Sequence, residues 1–339
     1  MIRKLNLCLI LLVLIFKING CKKVSLPHSI GGRDEVILIA PDEFKVDSFI
    51  NQLERVEYYP TEENVFNVKR VGISEMDRYK LWRNVIIVGN FEESYINDLL
   101  GADAKEELKK GAQLFLEKDL WVRLQTAVII TGVNTEETQG LLNRSAATIY
   151  RVLREEERER FSAVVFMQGY QKKETKKMET LLGASFKIPL GYRLAKDEDG
   201  FMSYIRKNPD RLVTLLYRVE PIGNPIRFRD SLFLEHFNGD EVVVDSIPIT
   251  TTEDGAFRYL KLTSLDTVKF KDVKAVQIKG VWKNDKLKGG PMGGPFVSYI
   301  FQKDGIWYFL DGHVFAPGKK KWPFLEEVNI ILDTFEKEN

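Results

Sequence analysis

The strongest constraint on the fold is a change in hydrophobic pattern part-way along the 339-residue chain. Up to about residue 154, short apolar runs alternate with segments of helical spacing. Glu35–Ala40 (EVILIA), Val65–Ile73, Asn84–Gly89 (NVIIVG), Ala112–Leu116 and Thr126–Val133 read as strands. Between them, Val46, Phe49, Ile50, Leu53 and Val56 recur at the i, i+3, i+4, i+7 spacing of a helix, and Glu75–Trp82 reads as a short one. Asn134-Thr135-Glu136-Glu137 opens a long helix that continues through Leu141, Leu142, Ile149, Val152 and Leu153. Alternation of this kind predicts an α/β layer over residues 34–154.

Beyond residue 184 the pattern is a meander. Tyr192–Leu194, Phe201–Ile205 and Leu212–Tyr217 are short strands separated by Lys196-Asp197-Glu198-Asp199-Gly200 and Asn208-Pro209-Asp210, which carry turn chemistry. A helix is predicted over Phe228–Phe237, closed by Gly239, followed by strands at Phe257–Leu262, Thr267–Phe270, Ala275–Lys283, Phe296–Gln302 and Trp307–Phe315. Phe324, Leu325, Val328, Ile331, Leu332 and Phe335 then mark one face of a closing helix, with Pro323 in its first turn. Residues 184–339 therefore read as an antiparallel sheet with helices packed on it, which makes the whole chain α+β. Residues 155–183 are the expected helical connector. The run Arg154–Arg160 (REEERER) is expected to be a solvated helix face held by i,i+3 and i,i+4 charge pairs.

The first 21 residues set an address. Arg3 and Lys4 precede the apolar run Leu5–Phe16, and Gly20 stands immediately before Cys21. A 12-residue run falls short of the roughly 20 residues that span a bilayer, so the segment reads as a secretory signal peptide over 1–20. Ile18-Asn19-Gly20-Cys21 resembles a bacterial lipobox, which implies a diacylated Cys21 and a lipidated tether over 21–33. Cys8 would leave with the signal peptide, so Cys21 would be the mature chain's sole thiol, occupied by lipid. Lys22-Lys23 follow with no acidic run, which points to the periplasm-facing leaflet of the outer membrane. The formal net charge is +1, and losing Arg3, Lys4 and Lys17 brings it to −2, so a general nucleic-acid binder is excluded.

Motifs that carry chemistry are sparse. The sequence has no G-x-x-x-x-G-K-[ST], H-E-x-x-H, G-x-S-x-G or C-x-x-C, and nothing in it implies a metal or cofactor. Of three histidines, His28 sits in the expected tether and His236 lies between Phe233 and Phe237, which fits packing or surface roles. Gly289-Gly290-Pro291-Met292-Gly293-Gly294-Pro295 leads into a strand rather than a helix, so it reads as a wide hairpin loop whose glycines supply positive φ. If the next three strands run antiparallel, this loop and Pro317–Lys321 share one end of the sheet. Lys283, Lys286, Lys288, Lys319, Lys320 and Lys321 then gather there. They form either a solvated rim or a place for an anionic group of a lipid, a glycan or a partner protein. On the last long strand Trp307, Phe309, Asp311, His313 and Phe315 share a face, which makes Asp311 and His313 the candidates for an acid–base pair or half a metal site.

Four stretches resemble an uncharacterised family of Bacteroidota-type lipoproteins known by a domain-of-unknown-function label. They are Lys187–Phe201 (KIPLGYRLAKDEDGF), Gly280-Val281-Trp282, Gly293–Tyr299 (GGPFVSY) and Asp311–Lys319 (DGHVFAPGK), and looser similarity begins near Gly31-Gly32-Arg33. The family pattern favours an aromatic where His313 stands. The order of the second block is also similar to the α/β/α sandwich of PsbP-like proteins, a resemblance that implies a noncatalytic binding or assembly role. Together these readings lead us to expect a noncatalytic cell-envelope lipoprotein, anchored to the membrane through Cys21. The alternative is an envelope hydrolase, or an enzyme for an anionic ligand, working on the C-terminal sheet.

Overall fold

The structure, a computed structural model, describes residues 26–58, 62–237, 242–244, 246–251, 257–284 and 292–337. The expected signal peptide, Cys21, Lys286, Lys288 and Gly239 lie outside the described residues. The chain divides into two compact units: residues up to Arg55 with Asn64–Glu157, and Val56–Glu63 with Arg158–Asn339. The α+β reading holds, with an α/β first unit and an antiparallel second unit. Among the described residues no helix is long and apolar enough to cross a membrane.

In the first unit the strands are β1 (Glu35–Ile39), β2 (Asn67–Val71), β3 (Asn84–Asn90), β4 (Gln113–Lys118) and β5 (Thr126–Gly132). They form one sheet in the order β2-β1-β3-β5-β4, parallel except for β4 at the edge. Ile37, Ile39, Val85, Ile87 and Ile129 pack on one side with Ile96, Leu100 and Leu108. Val36, Leu38, Ile86 and Val88, which alternate with them, are buried as well. Burial of both faces is why these strands are continuous apolar runs rather than alternating ones. Helix α1 (Thr135–Val165) follows, with the Asn134 side chain accepting the Glu137 N–H at 2.9 Å, an N-cap that satisfies a first-turn donor.

Two expectations change here. The described part of the expected tether, residues 26–33, is pinned to the first unit. His28 and Ile30 bridge to Arg123 and Trp82, and the Ser29 N–H donates to the Arg123 carbonyl at 3.0 Å. The charge run Arg154–Arg160 is not a solvated face. Glu157 is 3% exposed and accepts Arg33 at 2.7 Å with Arg83 at 3.5 Å, while Arg158 pairs with Glu326 and Asp333. Local spacing allowed i,i+4 pairs, but partners distant in sequence offered charges in drier surroundings, where ion pairing is stronger.

In the second unit α2 (Lys172–Leu182) puts Met178 and Leu182 in the core, so the expected connector belongs to this unit from Arg158 onward. Strands β6 (Arg193–Glu198), β7 (Phe201–Arg206) and β8 (Asp210–Arg218) follow, then α3 (Pro225–Phe237). Next come β9 (Val242–Val244), β10 (Ser264–Phe270), β11 (Val273–Asn284), β12 (Met292–Lys303) and β13 (Ile306–Phe315). Helix α4 (Trp322–Leu332) closes the unit. The eight-stranded antiparallel sheet has the order β9-β11-β12-β13-β8-β7-β6, with β10 also on β11. Helices α2 and α4 cover one face over Leu310, Val314 and Val297, and α3 covers part of the other over Phe201, Phe296 and Phe309.

The expected glycine loop is partly strand. Met292, Gly293, Gly294 and Pro295 pair with Asn284, Lys283, Trp282 and Val281, and neither glycine has positive φ. A Cβ on Gly294 would lie 1.8 Å from the Val314 carbonyl oxygen, so the strand can approach only because glycine stands there. Strand β6 likewise continues through Glu198, leaving only Asp199-Gly200 for the turn, with Gly200 at φ +73°.

Candidate functional site

Four strands of the second unit each carry a polar residue inside an apolar run, at Ser203, Thr214, Asp311 and Ser298. The register brings them into one row, Ser203 opposite Thr214, Thr214 opposite Asp311, and Asp311 opposite Ser298. All four are 0% exposed, on the face covered by α3. From α3 the Arg229 guanidinium, also 0% exposed, donates from Nε to Asp311 Oδ2 at 2.9 Å, and Ser298 Oγ donates to the same oxygen at 2.6 Å. The guanidinium lies 3.9 Å from the centre of the Phe296 ring and 4.5 Å from that of Phe233. Burial alone pushes the Asp311 carboxyl up, but Arg229, then His313 and Ser298, outweigh it and hold it below the ordinary aspartate range. An ionised Asp311 can only accept hydrogen bonds. His313 Nδ1, 3.0 Å from Asp311 Oδ1, therefore carries the proton of that bond, and Nε2 is the ring nitrogen left to meet a ligand.

A second row lies two residues along the strands. Arg193 is opposite Ile205, Ile205 opposite Leu212, and Leu212 opposite His313. A register shift at Ser203/Tyr204 makes Ala195 an extra residue on the edge strand β6, and this bulge sets Arg193 on the same face as Ile205. This row is open. It floors a cleft of about 510 Å³ with Trp282, Met292 and Phe315 on its walls, within the roughly 300–1,000 Å³ of small-molecule sites. Two lysines on the cleft are already answered, Lys207 by Asp210 at 2.6 Å and Lys196 by Glu198 at 3.0 Å. Arg193 has no ion-pair partner among the described residues. Trp282 is 3% exposed, and its indole N–H has no acceptor among the described residues.

The two expected site residues are thus brought together but divided in role. Asp311 is sealed in the core, and His313 lines the cleft. No group of three metal-ligating side chains forms among the described residues. The antiparallel order of β11, β12 and β13 puts Lys283 and Lys319–Lys321 at one end of the sheet, as expected. There the anion facing Lys321 is the chain's own. Glu63 accepts the Lys321 and Trp322 backbone N–H groups at 2.7 and 3.1 Å, capping α4, and its carboxylate is 3.7 Å from Lys321 Nζ. His236 stacks on Phe201 with ring centres 3.9 Å apart and pairs with Glu198, a packing role as expected. Sequence reasoning missed Arg193, Arg229 and the row of Ser203, Thr214 and Ser298. The signal for the row was one polar residue centred in each of FMSYI, LVTLL and FVSYI.

Residues 171–334 match the model of a family described as a domain of unknown function, DUF4837. That stretch of the second unit is similar to DUF4837. All four stretches that carry the family resemblance lie inside the match, as do both rows and the cleft. No curated protein matches the chain in sequence. Among solved structures, the Saccharomyces cerevisiae Ran-binding protein Mog1p is 8% identical, with 46% of this chain and 91% of that chain covered at a TM-score of 0.28. A protein of Bacteroides thetaiotaomicron is 11% identical over 46% of this chain and 45% of its own, with a TM-score of 0.24. The human StarD13 lipid transfer and protein localization domain is 12% identical over 50% of this chain and 96% of its own, at 0.21. Likenesses this distant carry no argument about what the second unit does.

Proposed function

We propose that the protein is a cell-envelope lipoprotein, anchored through Cys21 to the periplasm-facing leaflet of the outer membrane, whose second unit is a binding module. The observation that carries the binding role is the open row of the second unit. An apolar floor with a few placed polar groups and a volume of about 510 Å³ has the character of a small-molecule site. The anchor rests on the signal-peptide pattern and Gly20-Cys21; lipid chains contribute about 0.8 kcal/mol per buried CH₂, so a diacyl group holds stably. Binding is favoured over hydrolysis because Ser298, the hydroxyl attached to the Asp311–His313 pair, is fully buried and gives its proton to Asp311. Metabolic labelling with an alkyne fatty acid tests the anchor. The wild-type chain should take up label and sediment with outer membranes, and Cys21→Ala should do neither. An unlabelled wild-type chain would overturn the proposed address.

A further inference from the structure

The row Arg193–Ile205–Leu212–His313 crosses four neighbouring strands, so its ends are three strand spacings, about 14 Å, apart. One end is a guanidinium with no ion-pair partner among the described residues, the middle is aliphatic, and Trp282 and Phe315 wall the far end beside His313. Charge complementarity fixes the sign of the occupant. Lys196 and Lys207 are neutralised by Glu198 and Asp210, which leaves Arg193 as the standing charge of the cleft. The guanidinium of Arg193 is a donor only, which again calls for an acid rather than an amine at that end.

We propose that this cleft binds a linear amphiphile with a single acidic head group, of the medium-chain acyl carboxylate class. The acid meets the Arg193 guanidinium at the edge strand, and the chain lies along Ile205 and Leu212 toward Trp282 and His313. Arg193 is exposed, so the acid stays partly solvated while the tail loses its water, an arrangement that avoids the cost of burying a charge. The bulge at Ala195 is the device that turns Arg193 onto the apolar face. The proposal rests on the cleft being a binding site at all, and the test separates the two claims.

Decanoate, decanol and decyltrimethylammonium are titrated into the full-length chain below their micellar concentrations, with binding read by calorimetry and tryptophan fluorescence. Decanoate should bind at least tenfold more tightly than the other two. Arg193→Gln should abolish that preference, Lys274→Gln, an exposed lysine that does not line the cleft, should leave it within twofold, and Ile205→Trp should block the row and remove binding. Arg193→Gln alters an exposed side chain, and thermal melts confirm that each variant is folded. Equal binding of decanol, or an unchanged preference in Arg193→Gln, overturns the acidic class while the cleft stands. If none of the three binds, or if folded Ile205→Trp binds as wild type does, both the ligand class and the cleft reading fall.

Discussion

Replacing Asp311 with Asn changes one atom and takes the Asp311 counter-charge away from the buried Arg229 guanidinium. Both side chains are 0% exposed and Nε–Oδ2 is 2.9 Å, so no water is at hand to take over. Charges about 4 Å apart at an effective dielectric of about 20 attract by about 4 kcal/mol, and breaking a buried pair from one side costs about 3–5 kcal/mol. The Phe296 and Phe233 faces over the guanidinium return part of that loss, which sets the expectation near the lower end. For a unit of this size, about 3 kcal/mol lowers the melting temperature by roughly 6–12 °C. Urea unfolding followed by tryptophan fluorescence measures the loss directly, and Arg229→Met in the Asp311→Asn background supplies the control. Removing both charges should be less harmful than the two single losses summed, because each single variant leaves a buried charge without the pairing that this contact supplied, whereas the double variant leaves neither charge of the pair. A loss under about 1 kcal/mol in Asp311→Asn, or strict additivity in the double variant, would refute the reasoning.

Two further predictions follow from the same rows. Because the folded Asp311 carboxyl sits below its unfolded value of about 3.9, its stabilisation is fully present above that pH and drains away as pH falls through the lowered folded value. Urea midpoints taken between pH 6 and pH 2.5 should therefore fall less steeply below about pH 4 in Asp311→Asn than in wild type; parallel slopes would remove Asp311 from the acid response. Thr214 is 0% exposed, and its hydroxyl has no hydrogen-bond partner among the described residues. The isosteric Thr214→Val should thus stabilise the chain by about 1 kcal/mol, read as a higher urea midpoint, whereas a loss would show that the hydroxyl has a structural partner.

Much of the fold was legible in local pattern. EVILIA and NVIIVG are buried strands because every residue after the leading Glu35 or Asn84 is apolar or glycine, and Trp307–Phe315 alternates because each face meets a different core. Periodicity also put Asp311 and His313 on one face, and they do hydrogen-bond at 3.0 Å. Local pattern failed where a residue's partner is remote. REEERER looked solvated because its partners Arg33, Arg83, Glu326 and Asp333 are distant in sequence. Gly293 and Gly294 looked like turn residues because only the neighbouring strand reveals the contact that excludes a Cβ.

The sequence by itself determined which segments are strands and helices, where the pattern changes from alternation to meander, and that Cys21 follows a signal-like segment. All of these depend on chemistry within a few residues of each position. Tertiary structure alone decided that Arg229 from a helix neutralises Asp311, that Glu63 caps a helix 258 residues away, and that Arg193 and His313 end one row. Register and burial set those pairings, and both are properties of strands lying side by side. No single strand encodes which neighbour it will meet or whether water will reach the space between them.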